Sequence, residues 1–394
     1  MRIKQLKIEG FRSLRNVTWE PGDLNILIGP NGSGKSNLLR FLMMVSAAAE
    51  GDLADGIQRS GGINALVWDG QSPAIRFALK TVPSDPAHNP EHYELEIKRL
   101  GTGSAYIINY ELLANFFRFK AGEKQQPFKF LERTPHRAVV FDEHEQGLVA
   151  PAESVKEDET LLSMLAGPFV NNYLVPPFRQ QLADIDVYSD LDVRRESVLR
   201  QPTVTRAESR VDTDGQNLIS VLHTLYTSNR EFERNIDSAM RAAFGDDYEK
   251  LVFPPAADQL IQLRVRWRTL KREQWAADLS DGTLRYLFLI TVLASPDPPP
   301  VIAIDEPETG LHPAMLPIIA EYAVDASLRA QVILTTHSPQ LLDAFTDKNP
   351  STTVTKWRDG ETVLQNLSGD DLAYWLKEYT LGTLFKSGEL ESMA

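Results

Sequence analysis

The chain has 394 residues, 42% of them hydrophobic and 24% charged, a composition that builds a buried core and excludes a disordered or fibrous protein. A formal net charge of −13 excludes a protein that coats nucleic acid through its whole surface, so any DNA contact must be a local patch. With 0 cysteines there is no disulfide, thiolate zinc site, iron–sulfur cluster or cysteine nucleophile, which fits a reducing compartment.

Met1–Leu14 alternates charged and apolar residues as a strand does, without the continuous apolar segment of a signal peptide. Apolar stretches fall short of the roughly 20 residues a bilayer demands, so the expectation is a cytoplasmic protein with no membrane contact. Ile3–Ile8 and Leu24–Ile28 read as strands, and the second runs into a Gly-rich turn and an apolar helix over 37–49. Short runs between 74 and 142, broken by Gly, Pro and Asn, predict an antiparallel meander. Helical spacing dominates 158–244, a strand returns over 260–270, and strands then alternate with helices to near the end. The fold class is α/β, with a mostly parallel core sheet, an antiparallel β meander and a helical insertion. The expected division is a discontinuous core of residues 1–73 and 259–366, a β subdomain over 74–145, a helical insertion over 146–258, and a C-terminal helix and tail over 367–394.

Gly29-Pro-Asn-Gly-Ser-Gly-Lys35-Ser36 lies between a predicted strand and a predicted helix, the context in which G-x-x-x-x-G-K-[ST] is a phosphate-binding loop. Glycines let successive N–H groups turn inward around phosphates, and the helix N-terminus adds its positive end. Lys35 reaches the β/γ oxygens and the Ser36 hydroxyl ligates Mg²⁺, so the cofactors are ATP and Mg²⁺. The nucleotide set is Gly29, Asn31, Gly32, Ser33, Gly34, Lys35, Ser36 and Asn37.

Val301-Ile-Ala-Ile-Asp305-Glu306 is an apolar strand ending in two carboxylates, at the carboxyl edge where parallel sheets bind ligands. Asp305 is the second metal partner, and Glu306 the candidate base that orients the attacking water. The strand Val332–Thr336 delivers His337 to the same edge, within reach of the γ-phosphate or the water. Glu306, His337 and Lys35 are the catalytic candidates.

Leu279-Ser-Asp-Gly-Thr283 precedes another helix. The order of phosphate loop, long insertion, Ser-x-Gly helix start, Asp-Glu strand and His strand resembles the ABC-type ATPase heads, whose signature is Leu-Ser-Gly-Gly-Gln. That resemblance implies that Ser280 and the Gly282 amide cap the γ-phosphate bound to a second subunit, so ATP joins a homodimer or higher homo-oligomer. Ile8-Glu-Gly-Phe-Arg-Ser-Leu14, Asp305-Glu-Pro-Glu-Thr-Gly-Leu-His-Pro313 and Thr335-Thr-His-Ser-Pro339 are similar to the RecF-like and OLD-like bacterial ATPases, over essentially the whole chain. The same resemblance brings Arg12 near the nucleotide. Asp281 replaces a signature Gly and Thr283 the Gln, Gly310-Leu-His312 stands where transporter subunits have Ala-Leu-Asp, and Gln71, Gln180 and Gln181 are the choices for a Q-loop glutamine.

No heptad run between Lys35 and Ser280 provides the long arms of an SMC clamp. Only 57 residues follow His337, so a nuclease domain of the OLD kind is expected on a separately encoded effector. Two arginine groups could track DNA: Arg264, Arg266 and Arg268 alternating along one strand, and Arg194, Arg195, Arg200, Arg206 and Arg210 in a loop. Leu372, Trp375, Leu376 and Tyr379 form a helical stripe that packs on the core or docks a partner. The expected function is a Mg²⁺-dependent ATPase that dimerises around ATP and regulates DNA or an effector such as a nuclease, in genome maintenance or phage defence. The alternative is a nucleotide-gated scaffold in which turnover is incidental. A transporter subunit is disfavoured by the large insertion.

Overall fold

A computed structural model describes residues 1–82, 90–101, 103–116, 127–151, 154–165, 172–256, 260–367, 376 and 379–393. In chain order the elements are β1 (Arg2–Phe11), β2 (Leu14–Trp19), β3 (Leu24–Ile28), α1 (Lys35–Glu50), α2 (Leu53–Arg59), α3 (Ile63–Leu66), β4 (Ala74–Val82), β5 (Glu91–Arg99), β6 (Tyr106–Phe116), β7 (Pro127–Thr134), β8 (Arg137–Asp142) and β9 (Gly147–Val149). There follow α4 (Leu161–Met164), α5 (Val175–Ala183), β10 (Ile185–Tyr188), β11 (Thr203–Val204), α6 (Leu218–Ser228), α7 (Arg230–Phe244), β12 (Tyr248–Val252), β13 (Leu260–Ile261), β14 (Arg264–Trp267), β15 (Gln274–Trp275) and α8 (Asp281–Leu293). The last are β16 (Val301–Asp305), α9 (Leu316–Ser327), β17 (Gln331–Thr336), α10 (Pro339–Ala344), β18 (Ser351–Arg358), β19 (Glu361–Asn366) and two short helices, Leu381–Ser387 and Glu389–Met393.

Six strands in the order β10–β16–β17–β3–β18–β19 make the sheet that carries the phosphate loop. Neighbours are parallel from β10 to β18, and only the hairpin strand β19 runs against its partner. Ile26, Ile28, Ile302, Ile304, Val332 and Leu334 share one core with α6 to α10, while Leu27, Ala303 and Ile333 share the other with α1. Burial on both faces is why these strands read as unbroken apolar runs.

The larger sheet is antiparallel, in the order β2–β1–β4–β5–β6–β7–β8–β9, and α1 is packed between it and the parallel sheet. An edge-to-face aromatic series, Phe11–Phe41–Phe77–Tyr93–Phe178, crosses that layer with centroids 5.3 to 5.9 Å apart. Each such contact adds about 0.5–1.5 kcal/mol beyond area burial. Gln331, 1% exposed, links the sheets by donating to Ile3 O at 2.9 Å and Gly22 O at 2.8 Å and accepting from Ile3 N at 2.9 Å.

Three expectations about placement are corrected. Residues 1–73 do not all join the core sheet: β1 and β2 open the antiparallel sheet, with Leu6 opposite Leu79 and Ile8 opposite Phe77, because their alternating pattern has one dry face and one wet one. The insertion 146–258 is not only helical, since β10 from within it forms the edge of the parallel sheet. The strand expected over 260–270 is divided into β13 and β14, so Arg268 lies beyond the strand end. Of the C-terminal stripe, Leu372 and Trp375 lie outside the described residues, Leu376 packs partly buried on the core, and Tyr379 is 44% exposed. Among the described residues no helix is long and apolar enough to cross a membrane.

Candidate nucleotide-binding site

The loop from Gly29 to Gly34 leaves β3 and feeds α1, whose first residue is Lys35. Gly34, the residue before the helix, has a left-handed φ of 104°, and a Cβ there would strike Thr362 and Ser13, so only glycine fits. The C-terminal hairpin braces the loop: Ser33 and Thr355 share a hydroxyl hydrogen bond of 2.6 Å, and Thr362 Oγ1 donates to Ser33 O at 2.8 Å. Asn37 Nδ2 donates to Ser13 Oγ at 2.8 Å, which ties the helix start to the β1–β2 turn. Asn31 and Gly32 stand exposed at the loop tip.

Lys35 is 5% exposed and donates from Nζ to Gly29 O at 2.7 Å and Pro30 O at 3.3 Å. Burial pushes its ammonium below the usual lysine range, opposed by the charges of Glu306, Asp305 and Glu308. The loop lysine and the acidic strand end therefore face one electrostatic site. β17 separates β3 from β16, so the strands that carry the loop and Asp305 are two spacings, about 10 Å, apart and end at the same sheet edge.

Thr335, buried at the end of β17, organises the two carboxylate residues. Its Oγ1 donates to Asp305 Oδ1 and accepts from Glu306 N at 3.0 Å. Glu306 has a left-handed φ of 48°, rare for a residue with a Cβ, so the chain turns sharply at this candidate acid. His337 Nδ1 lies 3.1 Å from Glu306 Oε1. With Nδ1–H engaged there, a neutral ring presents Nε2 as an acceptor and an imidazolium presents it as a donor. Glu308, absent from the sequence-derived candidates, sets this geometry: its Oε1 accepts from Thr336 Oγ1 at 2.5 Å and from His337 N at 3.1 Å. Its Oε2 is buried without a hydrogen-bond partner among the described residues.

A cleft of about 1020 Å³ opens beside the loop, with Arg12, Ser36, Arg40, Asp186, Asp190 and Asp305 among its lining residues. Ser36 and Asp305 thus offer hard oxygen donors to one space, the donor chemistry that suits Mg²⁺. Arg12 has a left-handed φ of 46°, and its Nε is buried without a partner among the described residues. Burial first, and the charge of Arg40 second, lower its guanidinium's affinity for the proton. Two arginines that repel each other beside Ser36 are a setting that an anion relieves.

None of Gln71, Gln180 and Gln181 lines this cleft, and Gln180 instead donates to Asp184 Oδ1 at 3.1 Å on the surface. The strand end beside Asp305 belongs to β10, where Tyr188 pairs with Ile304, and it brings Ser189 and Asp190 to the cleft.

Ser280 caps α8 by accepting the Thr283 N–H at 3.1 Å, and its hydroxyl shares a hydrogen bond of 2.8 Å with the Thr283 hydroxyl. A Cβ on Gly282 would stand 2.7 Å from Gly310 O, so the helix start rests directly on the loop that follows Glu306. Most of the arginines in the two groups are paired with carboxylates, Arg195 and Arg268 excepted among the described residues. Arg264 and Arg266 both pair with Glu273, Arg264 also stacks on Trp275, and the Arg268 amide donates to Asp247 O. In the loop, Arg194 pairs with Asp192, Arg200 with Asp281, Arg206 with Glu208, and Arg210 with both Asp184 and Asp186.

The family model described as "AAA domain, putative AbiEii toxin, Type IV TA system" matches residues 24–343. The chain belongs to this AAA domain family. The matched span contains the phosphate loop, Asp305–Glu306, Ser280 and His337. Among curated proteins the AAA domain chain is 22% identical over 354 residues to an OLD nuclease from Thermus scotoductus, covering 86% of this chain and 60% of that protein. It is 33% identical over 78 residues to the DNA replication and repair protein RecF of Moorella thermoacetica, 19% of each chain. In fold it is similar to an Smc head bound to the C-winged helix domain of ScpA, with TM-score 0.58 and 14% identity over 95% of this chain and all of that one. A Pyrococcus furiosus Smc head with an extended coiled coil gives TM-score 0.56 at 14% identity, over 96% and 99% of the two chains. The chain therefore belongs to the AAA domain family, has the fold of an Smc head, and is similar in sequence to an OLD nuclease and to RecF.

Proposed function

We propose that this protein is a Mg²⁺-dependent ATPase head that closes on a second copy across bound ATP and uses that closure to control an effector. The observation that carries the reading is the convergence of Lys35, Asp305, Glu306 and His337 on one sheet edge, with the lysine inside the field of the three carboxylates. Lys35 and the loop amides hold the phosphates, and Arg12 adds a cation from the cleft side. Ser36 and Asp305 are the residues that would hold Mg²⁺, which when bound neutralises charge on the phosphate oxygens. Glu306 orients the attacking water and takes up its proton, while His337, steadied by Glu308, fixes the Glu306 carboxylate. Ser280 and the first amides of α8 serve the nucleotide of the partner copy.

The effector is best read as a partner protein such as a nuclease, in genome maintenance or phage defence. The Thermus relative is named a nuclease, and this chain spans 60% of its length. The pairing of the arginine groups with carboxylates favours a protein effector over direct tracking of DNA.

The deciding experiment measures the mass of Glu306→Gln in solution with and without ATP·Mg²⁺ by light scattering. The expected result is a monomer that becomes a dimer with ATP and a Lys35→Ala control that does not. A Glu306→Gln protein of unchanged mass at saturating ATP would overturn the closure reading.

A further inference from the structure

Asp281 occupies the first position of α8, where the ABC-type resemblance has a glycine, and its side chain is 67% exposed. A carboxylate at a helix N-terminus stabilises the helix but repels an arriving phosphate, so at a phosphate-capping site it needs neutralising. Arg200 does this from 81 residues earlier in the chain. Its side chain is 6% exposed, and its Nη2 donates to Asp281 Oδ1. Its Nη1 and Nε groups go to uncharged acceptors: Nη1 to Leu279 O at 2.6 Å and to Ala276 O and Ala277 O at 3.3 Å, and Nε to Val193 O at 2.9 Å and Arg194 O at 3.2 Å. The guanidinium thus grips the turn leading into Ser280 and cancels the charge of Asp281 in one fixed, fork-like geometry.

We infer that Arg200 is a positioning residue for the phosphate-capping face of α8, and that the Arg200–Asp281 pair does the work of the missing glycine. The pair keeps the helix start near neutral and holds the Leu279–Ser280 turn, so that the Ser280 hydroxyl and the Asp281 and Gly282 amides can receive the γ-phosphate on a second copy. The inference rests on the closure reading above. Arg200 touches no nucleotide; it acts through Asp281 and the turn.

The test uses full-length Glu306→Gln as parent, with ATP·Mg²⁺ titrated against solution mass. Adding Arg200→Gln raises the ATP concentration for half-maximal dimer by about tenfold or more, while binding of a fluorescent ATP analogue to the monomer is unchanged. Adding Asp281→Gly to that variant brings the value back to within about threefold of the parent, a rescue that a purely structural role for Arg200 would not give. Asp281→Asn alone, with Arg200 intact, dimerises at the parent's ATP concentration or below. The inference is overturned if Arg200→Gln matches the parent, if Asp281→Gly gives no rescue, or if Asp281→Asn weakens the dimer. Should Arg200→Gln fail to fold, the Asp281→Asn result decides. A parent that stays monomeric removes the closure reading and this assignment together, whereas a parent that dimerises alongside an unaffected Arg200→Gln removes this assignment alone.

Discussion

Glu308 uses one oxygen twice and leaves the other buried and unpaired among the described residues, an arrangement that fixes the end of β17 and with it the ring of His337. Glu308→Gln keeps a carbonyl oxygen for the Thr336 and His337 donors, so its turnover should stay within a few-fold of the parent protein. Glu308→Ala strands both donors and frees His337 from Glu306, and misplacement of that size lowers kcat by about 10- to 100-fold. Steady-state ATP hydrolysis across a range of ATP concentrations checks this, with KM expected to change less than kcat. Equal loss in both variants would make the negative charge, not the positioning, the important property. The candidate site is legible in the sequence where its members are sequence neighbours: the phosphate loop, Asp305–Glu306 and Ser280. Glu308 was visible inside the same motif, but its partners Thr336 and His337 lie on the next strand and only the fold brings them to it. For the same reason Arg200 reads in the sequence only as one of a loop group that could track DNA, since its partner Asp281 lies far along the chain.

At the scale of elements, Glu111 on β6 is fully buried and accepts from the amides of Leu161 at 2.6 Å and Leu162 at 2.9 Å and from the Tyr93 hydroxyl at 3.0 Å. Burial pushes its carboxyl above the ordinary value of 4.5, opposed by those donors and by Arg133. A folded-state value above the unfolded one means the native protein binds the proton more tightly. This contribution is full at pH below the ordinary value and is lost as pH rises through the raised one. Glu111→Gln carries a pH-independent cost of about 1–3 kcal/mol where its NH₂ meets the Leu161 amide. Its deficit relative to the parent should nevertheless shrink as pH rises through that window. Denaturant midpoints of the two proteins against pH measure the trend, and a deficit that grows with pH would contradict it. The parallel strands announced themselves as apolar runs, but β10 did not, because four residues containing Asp186 look like a helix-to-loop transition. That acid is tolerable in a buried edge strand because Arg210 and Tyr188 take its charge, which no local pattern reveals.

The whole molecule is closed through its ends. β3, which launches the phosphate loop, lies between β17 and β18, and the hydroxyls bracing the loop come from Thr355 and Thr362. A fragment ending at residue 300 lacks β16 to β19, and it should bind a fluorescent ATP analogue at least about 100-fold more weakly than the full chain, since an unsupported loop cannot present its amides. Titration of both proteins tests this, and comparable affinity would show that the loop and α1 suffice.

That closure fixes when the protein first becomes able to meet a nucleotide. Ribosomes add about 5–20 residues per second, so roughly a quarter of a minute to a minute passes between synthesis of Lys35 and synthesis of Arg358. Until Thr336 is made, the apolar strand Leu24–Ile28 has neither neighbour, and the nascent chain must be shielded by chaperones or by its own antiparallel sheet, whose β1, β2 and β4 to β9 are all made early. A nucleotide site that needs these braces therefore forms only after most of the chain has been made.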